Sequence, residues 1–397
     1  MTTARHKRLP VPSGLASVLF LTLIFLVNFV ARLIFSPLLH TIERELRITH
    51  SQAGLFFFLI SAGYVLGLLG SGLLASRATH RLAITVSTAG IGTAMLAIAA
   101  ADSLWPMAWG FLALGFAAGL YIPSAIATIT SIIAPAHWGK AIAVHELAPN
   151  VAFFISPFIA EAFLKWATWR CALVAIGAVA LVCGGVYGRL GHGGDFPGES
   201  PFSSAFGRLV RLKTFWLMLI LFGFGVSSTI GVYAMLPLYL ASERGLTPSS
   251  ANTLVALSRS YGPALGLLGG WVSDRLGPKR TIVIALVFSG VATALLGIVQ
   301  HRALAFVVLI QPLVAVWFFP AAFAALAAIT PPEARNLAVA FTVPAGYIIG
   351  AGAIPALIGL MGDAGSFALG YTITGGLILL SGALGLTLKL PASRAPG

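Results

Sequence analysis

Acidic side chains are scarce in this sequence: 11 Asp and Glu stand among 397 residues, beside 24 Lys and Arg, and charged residues of both signs make up 9%. A soluble domain carries roughly a quarter charged residues, so this chain has too little charge to coat a surface facing water. Its 58% hydrophobic residues and mean hydropathy of +0.96 ask for lipid instead. Cysteine is nearly absent too. Cys171 and Cys183 lie twelve positions apart on one expected helix, about 18 Å along its axis, which excludes a disulfide between them. The sequence also lacks a phosphate loop, a nucleotide-binding cassette and a redox ligand set. It therefore points to no enzyme, no cofactor and no metal, and any work it performs draws on an ion gradient.

What is present is a series of apolar runs, each near the 20 residues needed to cross a bilayer as a helix. They fall near 14–39, 51–75, 82–101, 106–133, 139–163, 169–188, 214–238, 248–272, 280–300, 304–330, 333–360 and 365–389. The fold class expected is thus an all-α polytopic membrane protein with twelve transmembrane helices. The net charge of +13 follows topology rather than a polyanionic partner. With the amino terminus inside, sixteen Lys and Arg fall in inner segments, Arg5, Lys7, Arg77, Lys140, Arg189, Lys213, Lys279 and Arg335 among them. The outer segments hold six: Arg44, Arg47, Lys165, Arg170, Arg244 and Arg302. This positive-inside bias predicts a multi-pass protein of the cell (inner or plasma) membrane with both termini cytoplasmic, surrounded by lipid and without nucleic acid. The start, RHKR followed by about 25 apolar residues, is too long for a signal-peptide core and reads as a retained first span.

The most polar stretch, residues 189–213, divides the runs six and six: an amino-terminal bundle over 1–188, a cytoplasmic linker over 189–213 and a carboxy-terminal bundle over 214–397. The linker's end, FSSAFGRLVRLKTFW, suits an amphipathic helix along the inner surface. The halves repeat at an offset of about 198: GLLGSGLLASRATHR (67–81) aligns with GLLGGWVSDRLGPKR (266–280), and YIPSAIATITSIIAP (121–135) with FFPAAFAALAAITPP (318–332). Internal repeats of this kind mark transporters.

GGWVSDRLGPKR, with Gly270, Asp274, Arg275, Gly277, Lys279 and Arg280, resembles the inner loop between helices 8 and 9 of the major facilitator superfamily. The resemblance implies two six-helix bundles related by a pseudo-two-fold axis, alternating access, and a gating role for this loop. The first-half copy keeps Gly72, Arg77 and Arg81 but has Ser76 and Thr79 where the motif has aspartate and glycine. The arginine many members carry early in helix 4 is also missing.

Ionisable residues inside spans cost about 2.5–3.5 kcal/mol or more, which makes them functional candidates. Arg259 stands near the middle of the eighth run, Arg32 and Asn28 share a face of the first, and His145, Glu146 and Asn150 lie on the fifth. Tyr121, Trp317 and Tyr347 fall at similar depth. By the resemblance, Arg259, Arg32, Asn28, Tyr121, Asn150, Trp317 and Tyr347 reach one substrate. Glu146 is the candidate for proton coupling, with His145 as relay, because burial of an unpaired carboxylate favours its neutral form. Each residue has a plainer explanation: Arg259 paired with carbonyls, Arg32 reaching for the outer surface, the aromatics packing. Glu43, Asp102, Glu161 and Asp363, at outer ends, read as solvated charges. HELAP lacks the second histidine of the H-E-x-x-H zinc motif, Pro149 taking its place, so a protease is set aside. Pro149 instead frees the carbonyl of His145. The pairs Gly63/Gly67, Gly115/Gly119, Gly262/Gly266 and Gly346/Gly350 have the spacing of close helix contacts and of a sliding surface.

A guanidinium at the centre, with a second arginine and amides nearby, suits a carboxylate held bidentately. The function expected is secondary active transport of a small organic anion by proton symport, in a monomer whose partners are substrate, protons and lipid. The alternative is a proton-driven multidrug efflux antiporter, favoured by the 26 Phe, 8 Trp and 8 Tyr. A non-transporting receptor on the same fold would bind ligand without moving it.

Overall fold

A computed structural model describes residues 11–198, 211–330 and 335–390. All regular structure among the described residues is helical. Eleven helices are long and apolar enough to cross a membrane: α1 (Gly14–Leu46), α2 (His50–Arg77), α3 (His80–Ala99), α4 (Leu104–Ile132), α5 (Pro135–Trp166), α6 (Trp169–Leu190), α7 (Lys213–Ser242), α9 (Pro278–Ile298), α10 (His301–Ile329), α11 (Ala338–Asp363) and α12 (Phe367–Gly385). The remaining apolar run forms α8, split into Pro248–Leu257 and Gly262–Leu276, which completes twelve spans. In the amphipathic stretch expected at the linker's end, residues up to 210 lie outside the described residues, as do both charged termini.

Lipid offers the backbone no hydrogen bonds, so each run closes its own amides into helix. Side chains mark the starts. Thr79 caps α3 by accepting from the Leu82 amide, Thr168 caps α6, Thr247 followed by Pro248 caps α8, and Ser366 caps α12. Between α8 and α9, Gly277 adopts φ +83° and is followed by Pro278. A side chain there would meet its own backbone, so the loop's glycine is fixed by the turn.

Contacts divide the chain into two units, Met1–Ile42 with Leu59–Pro201, and Glu43–Phe58 with Phe202–Gly397. In the first, α3 packs on α6 and α4, and α1 on α5. Its closest approach joins α2 to α4 through the expected glycine pairs: methyl groups at Gly63 and Gly115 would stand 2.1 and 2.0 Å from the carbonyl oxygens of Leu112 and Ile60. In the second unit α9 packs on α12 and α7 on α11. Gly350 lies against the backbone of Gly223 and Ser227, whereas Gly266 borders open space, so the 262/266 spacing makes no such contact there.

The expectation for the outer acids needs correcting. Asp102 is exposed and pairs with Arg170 at 3.0 Å, but Glu43 is 7% exposed and bonds His50 Nδ1 at 2.9 Å. Asp363 accepts from the His50 and Ser51 amides at 2.8 and 3.0 Å. A carboxylate at the first turn of α2 answers free N–H groups and the helix dipole.

Candidate functional site

Most polar side chains placed at mid-depth by the sequence are found where a span breaks its own hydrogen-bond ladder. In the first unit, α4 is interrupted at Leu120, three residues before Pro123. Three helices supply donors to its carbonyls. Ser87 of α3 donates to Ala117 O at 2.6 Å, Asn28 of α1 to Ala118 O at 3.1 Å, and Ser71 of α2 to Leu120 O at 2.9 Å. Asn28 therefore ties α1 to α4, while its buried Oδ1 has no hydrogen-bond partner among the described residues. Arg32 does not reach for the surface. It is 7% exposed, with its guanidinium 4.2 Å from the Phe29 ring and 4.7 Å from the Tyr64 ring.

The second break in this unit lies in α5. Its helix stops at His145 and resumes at Leu147; Pro149, lacking an N–H, cannot bond the His145 carbonyl. Asn150 donates instead to Glu146 O at 3.3 Å. Against the sequence expectation, Glu146 is not a deeply buried carboxylate: its side chain is 50% exposed. His145 is the buried member, at 0%. Its ring stacks on Phe25 at 4.4 Å, its Nε2 lies 3.1 Å from Tyr121 Oη, and its Nδ1 lies 3.5 Å from Glu146. Tyr121 donates its hydroxyl to Leu21 O at 2.6 Å.

In the second unit the same logic gathers residues around Arg259. The helix α8 breaks over Ser258–Tyr261, where the amides of Arg259, Ser260 and Gly262 bond three residues back. Four residues after Arg259 stands Pro263, which has no N–H to offer, so the Arg259 carbonyl accepts from the Gly262 amide at 3.1 Å. Facing this break, α7 widens into a π-turn at Ser227–Gly231, and such turns displace carbonyls from their usual partners. Arg259 Nη2 donates to Thr229 O at 3.1 Å, and Gln311 of α10 donates to Ser228 O at 2.7 Å. The Arg259 guanidinium also sits 5.2 Å from the Tyr233 ring and is 6% exposed.

Elsewhere in this unit, Trp317 occupies a turn in α10 against Gly269, ten residues along α8 from Arg259, its indole Nε1 buried without a hydrogen-bond partner among the described residues. Tyr347 opens a second π-turn, Tyr347–Ala353, in α11. The π-turns, Gln311 and Tyr233 were not anticipated. A single glutamine before proline in VVLIQPLVAV was the available signal for Gln311. Replacing Gln311 with Leu removes a buried donor to the Ser228 carbonyl and is expected to cost about 1–3 kcal/mol, read as a lower melting temperature of the purified protein.

The sequence profile of the Major Facilitator Superfamily matches residues 21–263 and 240–397. The chain belongs to the Major Facilitator Superfamily. It is accordingly a multi-pass membrane transporter and not an enzyme. No curated protein gives a significant match. Solved structures do. A bacterial homologue of the human lysosomal transporter Spinster, inward-facing and unoccupied, superposes with TM-score 0.79 at 17% identity, covering 97% of this chain and 100% of that one. A peptide transporter of the POT family in complex with sulfate gives 0.76 at 13% identity, over 94% of each chain. A POT family transporter in complex with 5-aminolevulinic acid gives 0.77 at 13%, over 94% and 95%. These likenesses are of fold.

The superfamily loop itself is built as a turn between helices. Gly270 and Asp274 lie in the last turns of α8, Gly277 bonds its amide to Ser273 O at 2.9 Å, and Lys279 and Arg280 open α9. Arg275 covers the Trp271 ring at 5.1 Å. Asp274 is exposed and has no ion pair among the described residues. In the degraded first-half copy, Arg81 pairs at 3.1 Å with Asp195 of the linker.

Proposed function

We propose that this superfamily member moves a small organic anion, a carboxylate, across the cell membrane by alternating access coupled to protons. The observation that carries the proposal is a buried arginine at the break of a discontinuous span. Interrupted helices are where transporters of several folds place their substrate groups, and a guanidinium held there offers a planar fork to a carboxylate. Arg259 is assigned the principal anion contact, with Trp317 and Tyr347 as further contacts. Arg32, Asn28, Tyr121 and Asn150 are kept as proposed substrate contacts, although Asn28 and Tyr121 spend hydrogen-bonding capacity on backbone carbonyls. Glu146 and His145 carry the proton. The arrangement proposed is a monomer of two six-helix bundles, 1–188 and 214–397, joined by a linker at 189–213, with both termini in the cytoplasm.

A ligand that binds only the folded protein stabilises it, by about 2.7 kcal/mol at a hundredfold excess over Kd. Purified protein melted in the presence of carboxylates, inorganic anions and cationic amphipathic drugs tests the proposal. Stabilisation by carboxylates is the expected result. Stabilisation by the drugs alone would favour the efflux antiporter that the aromatic content suggests. The loop of Asp274 is proposed as a gate: Asp274→Asn is expected to slow flux of the stabilising anion in proteoliposomes while insertion stays normal. Unaltered flux would remove the loop from the gating step.

A further inference from the structure

We infer that His145 and Glu146 form one proton-binding site astride the break in α5, and that Tyr121 sets which ring nitrogen takes the proton. For its part in transport this rests on the proton coupling proposed above. Its geometry stands alone.

The hydrogen-bond directions follow from chemistry. A carbonyl oxygen only accepts, so the single hydroxyl proton of Tyr121 goes to Leu21 O, at 2.6 Å. The Tyr121 oxygen is then left to accept, and the nitrogen 3.1 Å away, His145 Nε2, must carry a hydrogen. In a neutral imidazole the other nitrogen then has a bare lone pair. That nitrogen, Nδ1, is buried without a hydrogen-bond partner among the described residues, and a Glu146 carboxylate oxygen lies 3.5 Å from it. Lone pair against carboxylate is repulsive, whereas one proton between them makes either an imidazolium–carboxylate pair or a carboxylic acid donating to nitrogen. Both are charge-neutral overall, while the empty pair leaves a negative charge beside a buried lone pair. The protons therefore belong to the pair and not to either residue.

Access and insulation are divided between the partners. Glu146 is half-exposed and His145 fully buried, so a proton from water adds to a Glu146 oxygen and passes to Nδ1, while Nε2 keeps its hydrogen and donates it to Tyr121 Oη. From α1 the ring is faced by Phe25, from α4 by Tyr121, and from its own span by Glu146. Tyr187 of α6 is the other titratable group acting on Tyr121.

The test needs no substrate. Val144–His145 is the single Val-His pair in the sequence, so ¹³C-carbonyl valine with ¹⁵N-histidine picks out His145 in full-length protein in lipid nanodiscs. Ring ¹⁵N shifts are then followed against pH. The expected neutral form carries hydrogen on Nε2 and gains its proton on Nδ1 as pH falls. Glu146→Gln is expected to bind that proton at least about tenfold more weakly, through loss of the adjacent carboxylate. Tyr121→Phe is expected to give a mixture of neutral tautomers, which a merely structural tyrosine would not change. A neutral wild-type ring with hydrogen on Nδ1 would overturn the inference, and this readout decides it even if a variant fails to fold. Wild-type titration in Glu146→Gln would overturn it as well. Failure of carboxylates to stabilise the protein would sink the anion proposal and leave this site untouched; the converse holds equally.

Discussion

Arg259→Gln is expected to lose the stabilisation that carboxylates confer on the wild-type protein, and Arg259→Lys to lose most of it. The two substitutions separate shape from charge. Lysine keeps a cation at the break of α8 but presents a single ammonium instead of a planar fork, so bidentate contact with a carboxylate goes while its charge stays. Charge-assisted hydrogen bonds are worth about 1.5–3 kcal/mol each, so affinity falls by at least about tenfold with Lys and further with Gln. Arg259 also holds the Thr229 carbonyl of the α7 π-turn, which lowers the melting temperature of both variants without any ligand. The two roles are therefore read from different quantities. Backbone support appears in ligand-free melting; anion recognition appears in the increment that ligand adds. A Gln variant melting lower than wild type but gaining the same increment would leave Arg259 a purely structural arginine.

The contact between Arg259 and the α7 π-turn marks where the sequence was readable and where it was not. Twelve apolar runs, an interrupted polar stretch and the GGWVSDRLGPKR loop announce the fold, because lipid imposes length and hydrophobicity on each span regardless of neighbours. The family follows from the same features. Depth is legible as well: counting along the runs puts Arg259, Arg32, Asn28 and His145 inside the membrane, and they are buried there. Their partners are not legible from counting. Arg259 and Gln311 are explained by a π-turn on another helix, and a π-turn is one extra residue in a ladder, with no composition of its own. Asn28 answers an interruption in α4 that Pro123 announces only to a reader who knows which span packs beside it. The assignment of Glu146 as the buried acid failed for a related reason: helical spacing treats residues 145 and 146 as points on one cylinder, but Pro149 breaks the cylinder between them, leaving the imidazole inside and the carboxylate half outside.

Gly115→Val is expected to prevent accumulation of folded protein altogether, and Gly115→Ala to destabilise it by at least about 2–3 kcal/mol. A methyl group at Gly115 would lie 2.0 Å from Ile60 O, 2.8 Å from the Ile60 carbonyl carbon and 2.9 Å from the Tyr64 amide nitrogen. All three are backbone atoms, which cannot rotate away as a side chain can, so α2 and α4 must separate. The strain would spread, because the contact repeats along the pair: methyls at Gly63, Gly67 and Gly119 would stand 2.1, 2.1 and 2.2 Å from the carbonyl oxygens of Leu112, Phe116 and Tyr64. Separation also pulls Ser71 from Leu120 O and Tyr64 from the Arg32 guanidinium, exposing carbonyls to lipid that has no donor to offer. Overpacking a core costs about 1–3 kcal/mol where side chains can adjust; between two backbones there is less to adjust. Gly266→Ala is the matched control, since a methyl there meets nothing within 4 Å. It is expected to be neutral or to gain about 0.5–1 kcal/mol from the higher helix propensity of alanine. Thermal denaturation of both variants in one detergent compares them directly. If Gly115→Ala melts with the wild type, α2 and α4 do not approach as closely as this packing requires, and the glycine spacing there has no packing role.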